Sequence, residues 1–553
     1  MNKKIIIYQI FTRLFGNRNT TCKRNGTVAE NGCGKMSFFS EKVLRQIKAK
    51  GVTHIWYTGV IRHASATDYS SFGIPVQHPA IVKGKAGSPY AITDYYDVDP
   101  DLADKVPERM KEFEALVKRT HRYGLGVIMD FVPNHVARQY RSVSKPDNVR
   151  DLGEDDDKAM GFSADNNFYY CVDTPLEPQF NVSNGGDRYV ECPAKATGND
   201  RFDNHPGIND WYETVKLNYG IDYCDAGGRS FHFDPIPDTW HKMTDILMYW
   251  ASKGIDGFRC DMAEMVPAEF WKWAISKLKE AYPGIIFIAE VYNPSEYRNY
   301  ISSGFDYLYD KVGMYDTVRA VMRGEAQTTA ISHAWQCVDD INGHMLYFLE
   351  NHDEQRIASD FFAGDARKGV PAVVVNALMR RNPFMLYAGQ EYGERGMDNE
   401  GFSGCDGRTT IFDYWTVRTL YKGYQHPEEL TDEERGLNDV YTKILNIASH
   451  EKSVSMGEFF DLMYVNRNLT RQYAFIRKYK NEVLFIVSNF SDEDVSVCVS
   501  VPEHAFGFLG IPEKTFHATE MLTERERVLD FSANRNITDA IRAYGVNIYK
   551  FVI

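Results

Sequence analysis

Ile255-Asp256-Gly257-Phe258-Arg259-Cys260-Asp261 is a short apolar run that ends on charge. Amphipathic helical patterns flank it, Thr239–Ser252 before and Pro267–Ala281 after, with apolar residues three and four apart. A strand set between helices is buried on both faces in a parallel sheet. Arg259 and Asp261 stand two apart and so share one face of that strand.

The same unit recurs along the chain. Further candidate strands are Ile5–Ile10, Thr53–Tyr57, Gly126–Val132, Ile285–Ala289, Phe305–Leu308, Met345–Leu349 and Phe384–Tyr387, and further helices are Glu41–Ala49, Arg109–Tyr123 and Gly369–Arg380. Asp238 reads as a helix N-cap, and Gly124 and Gly254 as residues just past helix ends. Eight strands alternating with helices predict an α/β fold, a closed (β/α)₈ TIM barrel.

The interval 137–237 between the third and fourth strands is rich in Asp, Asn, Gly and Tyr and too long for a simple loop. It predicts an inserted domain on the side where the strands end. Past residue 450 the texture changes to Tyr473–Arg477, Val483–Ser488, Val495–Val501 and Asn547–Val552, short strands separated by turns. The expected organisation is a barrel in two parts, 1–136 and 238–450, the insertion 137–237, and a C-terminal antiparallel β-sandwich domain, 451–553.

Composition narrows the partners. With 43% hydrophobic and 25% charged residues the chain is an ordinary folded protein. Its 63 Lys and Arg against 76 Asp and Glu give a net charge of -13, which argues against nucleic acid and against an anionic membrane surface. No apolar run approaches the ~18 residues that span a bilayer. The start, Met1-Asn2-Lys3-Lys4 before Ile5–Phe11, lacks a small-residue cleavage site and reads as a first buried strand rather than a signal peptide. Nine scattered cysteines without a C-x-x-C pair read as thiols in a reducing compartment, which points to the cytoplasm.

The chemistry lies at the strand ends. Asp130 with Asn134 and His135, Arg259 with Asp261, Glu290, and His352 with Asp353 each close a candidate strand. In a (β/α)₈ barrel that rim carries the active site, so clusters far apart in sequence converge there. A buried ion-pair network would cost desolvation and earn little stability, so several acids at one rim point to function. Glycoside hydrolysis needs two carboxylates, one held protonated and one ionised. Arg259 beside Asp261 should keep that carboxylate charged, and the apolar approach to Glu290 should raise its proton affinity.

Asp130-Phe-Val-Pro-Asn-His135, Gly257-Phe-Arg-Cys-Asp261, Ala289-Glu290-Val and Glu350-Asn-His-Asp353 closely resemble, in order and spacing, the four short regions of the alpha-amylase family of glycoside hydrolases. Tyr8-Gln9-Ile10, Tyr90-Ala-Ile-Thr-Asp94-Tyr95 and Leu386-Tyr-Ala-Gly-Gln390-Glu391 are similar to the same family. The resemblance implies a retaining enzyme acting on α-glucans or maltooligosaccharides. In it Asp261 is the nucleophile, Glu290 the acid/base and Asp353 the acid that grips sugar hydroxyls. It also implies that Arg259 orients Asp261, that His135 and His352 bind hydroxyls with Asp130 in the same site, and that Tyr90 forms the stacking floor. In many members the asparagine matching Asn134 binds a structural calcium, for which Glu154–Asp157 or Asp200 would supply oxygens. The chemistry itself requires no cofactor.

One departure bears on specificity. Many true alpha-amylases carry Lys-His at the third and fourth positions after the nucleophile; Glu264 and Met265 stand there. An α-glucanotransferase of the same family shares the covalent intermediate and differs only in the acceptor. A catalytically silent barrel used for glycan binding is disfavoured by the full set of acids. A metal-dependent hydrolase is disfavoured because none of the 15 histidines stand two apart. Phosphate-cradling glycine loops and the serine-hydrolase elbow are absent from the sequence.

Overall fold

The computed structural model describes residues 4–180, 187–402, 404–533 and 535–553; Met1–Lys3 lie outside the described residues. Eight strands form a closed parallel barrel: β1 (Ile6–Phe11), β2 (His54–Thr58), β3 (Gly126–Phe131), β4 (Gly257–Cys260), β5 (Ile286–Ala289), β6 (Tyr307–Tyr309), β7 (Met345–Phe348) and β8 (Phe384–Tyr387). Each pairs with its neighbours in chain order, and β8 closes on β1. All eight apolar runs read from the sequence are barrel strands.

Residue parity explains why these runs look uniformly apolar. Ile7, Trp56, Ile128, Ile288, Leu346 and Met385 fill the barrel interior as one cluster, while the alternate residues, such as Ile6, Tyr8 and Ile10, pack outward with the helices. Each strand is therefore dry on both faces. Two residues further along the inward parity stand Gln9, Asp130 and Glu290, and four further on from Leu346 stands Glu350, all buried. The apolar floor gives way to a polar rim.

The helices α1 (Glu41–Ala49), α2 (Arg109–Arg122), α3 (Asp238–Ser252), α4 (Ala268–Ala281) and α5 (Gly369–Leu378) follow the periodicity. Pro237 rather than Asp238 caps α3. Asp238 lies in the first turn, where its charge meets the helix N-terminus and pairs with Lys242 at 2.8 Å. Gly124 and Gly254 adopt φ of +65° and +86° after their helices, a left-handed stop that costs glycine least. A further helix, α6 (Asp432–His450), opens with a capping box between Thr431 and Glu434.

The insertion is built from three antiparallel ribbons: Tyr170–Cys171 with Ala194–Lys195, Ile221–Asp225 with Gly228–Phe231, and His135–Ala137 with Thr214–Lys216. The last ribbon runs on directly from β3 and sets Lys216 opposite His135. At the C-terminus the antiparallel strands divide six and two. One sheet is ordered Glu458–Asp461, Gln472–Tyr479, Glu482–Asn489, Val546–Val552, Lys514–Glu520 and Arg525–Phe531; Val495–Ser500 pairs separately with Asn536–Ile541.

Candidate active site

Parity along the strands aims the charged residues inward. Asp130 on β3 stands in register with Arg259 on β4, and Glu290 follows β5 with its N–H on Cys260 O. Arg259 is the centre of the constellation. Its Nη1 donates to Asp261 Oδ1 at 2.7 Å and reaches Asp130 Oδ1 at 3.5 Å, and its Nη2 lies 2.7 Å from Glu290 Oε2, an ion pair outside hydrogen-bond alignment. The guanidinium also sits over the Trp56, Tyr90 and Tyr309 rings, at 5.3–5.6 Å from their centroids. One cation thus holds acids from three strand ends.

A hollow of about 240 Å³ opens above it, lined by Asp261, Glu290 and Asp353 together with Tyr90 and His135. A second hollow of about 340 Å³ shares Asp353, Ile411 and Phe412 with it, so the cleft continues past the acids. The Tyr90 ring stacks on His352 at 5.2 Å and 25°, and its hydroxyl is 2.5 Å from His352 Nε2. His352 Nε2 is also 3.0 Å from Asp353 Oδ2. The insertion supplies Trp211, whose ring lies 5.1 Å from that of His135, and Glu213, paired with Lys83 at 2.9 Å. Asp130, buried under the rim, accepts from Trp56 Nε1 at 3.0 Å. The candidate residues read from the sequence converge on this hollow or directly beneath it, except Asn134, which is buried outside the lining with its Nδ2 3.1 Å from His135 Nδ1.

The electrostatics differ from the expectation of one pre-ionised carboxylate. Burial pushes Asp261 well above the usual carboxylate range, and Arg259 opposes this without cancelling it. Burial likewise raises Asp130 to about 6, against Arg259. Loss of water and then the Glu290 charge raise Asp353 to about 7; 42% of its side chain still meets solvent, which screens that shift. Asp261 also feels the Asp353 charge, so these two titrate as a pair rather than residue by residue. Both histidines stay neutral: burial and then the Lys216 charge lower His135 to about 3, and burial and then Arg259 hold His352 well below the usual imidazole range.

Three contributors carry no sequence signature. Tyr292 donates its hydroxyl to Glu290 Oε1. Met262, in a left-handed conformation at φ +43°, turns its N–H onto Glu290 Oε2 at 2.8 Å. Glu264 accepts the N–H groups of Tyr292 and Asn293, both at 3.0 Å, and so ties the loop after β4 to the loop after β5. Glu264 thus braces the loop that follows the acid. The spacing Glu290-Val291-Tyr292 was the one available hint.

The residues around Asn134 do not fit a calcium ion. The Lys216 ammonium, 2% exposed as a side chain, occupies their midst: it lies 2.6 Å from Asp200 Oδ1, donates to Met265 O at 3.2 Å and donates to Asn134 Oδ1. Calcium wants six to eight oxygens, and a dication beside that ammonium would be repelled. In the acidic stretch, Asp156 is committed to the N–H groups of Asn167 and Phe168 and to the Tyr170 hydroxyl, and Asp155 to Arg150.

Residues 9–433 match the alpha-amylase catalytic domain. The chain belongs to the alpha-amylase family of glycoside hydrolases. Within this family it is 23% identical to Alpha-amylase 3 of Dictyoglomus thermophilum, over 73% of this chain and 74% of that one. It is 21% identical to Neopullulanase 2 of Thermoactinomyces vulgaris, over 91% and 72%. In fold, this alpha-amylase-family chain resembles the maltogenic alpha-amylase AmyB of Thermotoga neapolitana with a TM-score of 0.64, 21% identity and full coverage of both chains. Among the described residues no helix is long and apolar enough to cross a membrane.

Proposed function

We propose that this enzyme hydrolyses α-glucosidic bonds of maltooligosaccharides or α-glucan chain ends, with retention. One observation carries the reading: a single guanidinium bridges Asp261 and Glu290 at the floor of the hollow. That proximity suits double displacement, which needs its carboxyl groups only ~5 Å apart. Asp261 attacks the anomeric carbon as Glu290 gives its proton to the departing glycosidic oxygen. Water then attacks the same carbon, Glu290 takes back a proton, and the Asp261 ester bond breaks. Asp353, His352 and His135 bind hydroxyls of the unit in the hollow, and the Tyr90 ring gives it an apolar floor.

Transfer to a sugar acceptor is the second reading. Trp211 and Tyr292 line the hollow, and such rings hold a sugar as readily as they admit water. Chromatographic product profiles on linear, branched and cyclic α-glucans separate the two: glucose or maltose alone supports hydrolysis, and oligosaccharides longer than the substrate support transfer. Absence of both would reject the reading.

The Lys216 cradle supports activity without calcium, and the scattered thiols suit a cytoplasmic setting. Full activity after dialysis against a chelator is the expected result.

A further inference from the structure

Gln9 lies on the inner face of β1, fully buried, in register with Trp56 and Tyr387. Its Nε2 stands 2.8 Å from His352 Nδ1 and 3.4 Å from Thr58 Oγ1. An amide nitrogen only donates, so it requires a lone pair on Nδ1. A neutral imidazole with a bare Nδ1 carries its hydrogen on Nε2. That atom lies 2.5 Å from the Tyr90 hydroxyl and 3.0 Å from the Asp353 carboxyl group, two acceptors that line the hollow.

We propose that Gln9 is a positioning residue that fixes His352 as a neutral Nε2–H donor aimed at the sugar. The inference rests on the reading of the hollow as a sugar site. A sugar hydroxyl both accepts and donates: His352 offers it a hydrogen while Asp353 takes one. In the opposite tautomer the Nε2 lone pair would take a hydrogen from the Tyr90 hydroxyl, 2.5 Å away, with the Asp353 oxygen at 3.0 Å, and no imidazole N–H would be left to reach the sugar hydroxyl.

A second observation concerns the other end of the amide. Gln9 Oε1 is buried without a hydrogen-bond partner. Such an orphan is destabilising, and an apolar residue of similar size would avoid it. The glutamine thus stands as a polar side chain directly above a barrel interior that is apolar one layer below.

The test combines ring-nitrogen NMR with kinetics on full-length protein labelled with ¹⁵N-histidine, the His352 signals being assigned by their loss in His352→Asn. In the wild type His352 should carry its hydrogen on Nε2 across pH 5.5–8. Gln9→Glu, whose carboxylate can only accept, should move the hydrogen to Nδ1, and Gln9→Leu should leave the tautomer mixed. Both should lower kcat/KM by about 10- to 100-fold and should lose wild-type discrimination against one member of a panel of monodeoxy maltosides. Hydrogen on Nδ1 in the wild type overturns the proposal, as does an unchanged tautomer and unchanged kcat/KM in Gln9→Glu. If Gln9→Glu fails to fold, the wild-type spectrum still decides. The spectrum reports the tautomer whatever the substrate, so a negative result there is distinct from a failure of the sugar-site reading, which would appear as inactivity of the wild type on every α-glucoside.

Discussion

Tyr292 donates its phenolic hydrogen to Glu290, the carboxyl two residues before it. With the Met262 N–H on the other oxygen, the acid is held from both sides. Tyr292→Phe keeps the ring and removes only this bond. It should lower kcat on maltooligosaccharides by roughly tenfold and spare aryl glucosides whose leaving group needs no proton. Equal kcat values for variant and wild type on both substrates would show that Tyr292 contributes packing alone.

Glu290→Gln should cut hydrolysis of natural substrates by about 10²–10⁴-fold while retaining most of the first step on activated glycosides. Steady-state rates on the two substrate classes check this. A parallel loss on both would remove Glu290 from the acid role.

Asp261→Asn preserves shape and the contact to Arg259 but cannot form the ester. Turnover should fall by roughly 10⁴-fold or more, with thermal unfolding close to that of the wild type. Mass spectrometry of a denatured reaction with a slow-turnover fluoroglycoside should find a glycosyl adduct on the wild type and none on this variant.

Asp353 gives a prediction about stability. Its carboxyl is raised to about 7, above the ~3.9 of an unfolded chain. A raised carboxyl favours the fold fully below the unfolded value, and that contribution is lost as pH climbs through the folded value. At pH 8 the ionised group therefore works against the fold. Asp353→Asn should melt about 1–2 °C above wild type at pH 8, with the gap closing by pH 4, while hydrolysis falls by at least about 10²-fold. Melting curves at the two pH values give the sign directly.

Lys216→Met should leave Asp200 and Asn134 with oxygens facing an apolar tip. Asp200 keeps 29% of its side chain in solvent, so the main loss is the buried Asn134 oxygen left unpaired, on the order of 1–3 kcal/mol. The melting temperature should drop, and added calcium should restore part of it in the variant while leaving wild type unmoved. A calcium response in the wild type would contradict the metal-free cradle.

The barrel was legible because its strands are dry on both faces, so that runs such as Phe384–Tyr387 stand out without any alternation. The helix α6 escaped because Asp432-Glu-Glu-Arg-Gly breaks its apolar stripe in the first turn. Lys514–Glu520 and Arg525–Phe531 escaped because their exposed faces carry Lys, Glu and Arg, which mute a strand signal. Within the site, Asp130, Arg259 and Glu290 were readable from parity at strand ends. Tyr292, Met262 and Gln9 were not, since their roles depend on which atom faces which across loops and strands. The competition for Arg259 was hidden for the same reason: the partner of Asp261 is also claimed by Glu290 and Asp130.

Lys216 ties the insertion to the barrel with a charge that belongs to the polypeptide. A soluble ion at such a joint would obey mass action, its occupancy rising and falling with supply. A tethered ammonium has no dissociation constant to satisfy. The joint beside His135 is complete as soon as the chain folds, at any dilution and in any ionic surroundings that leave the lysine protonated.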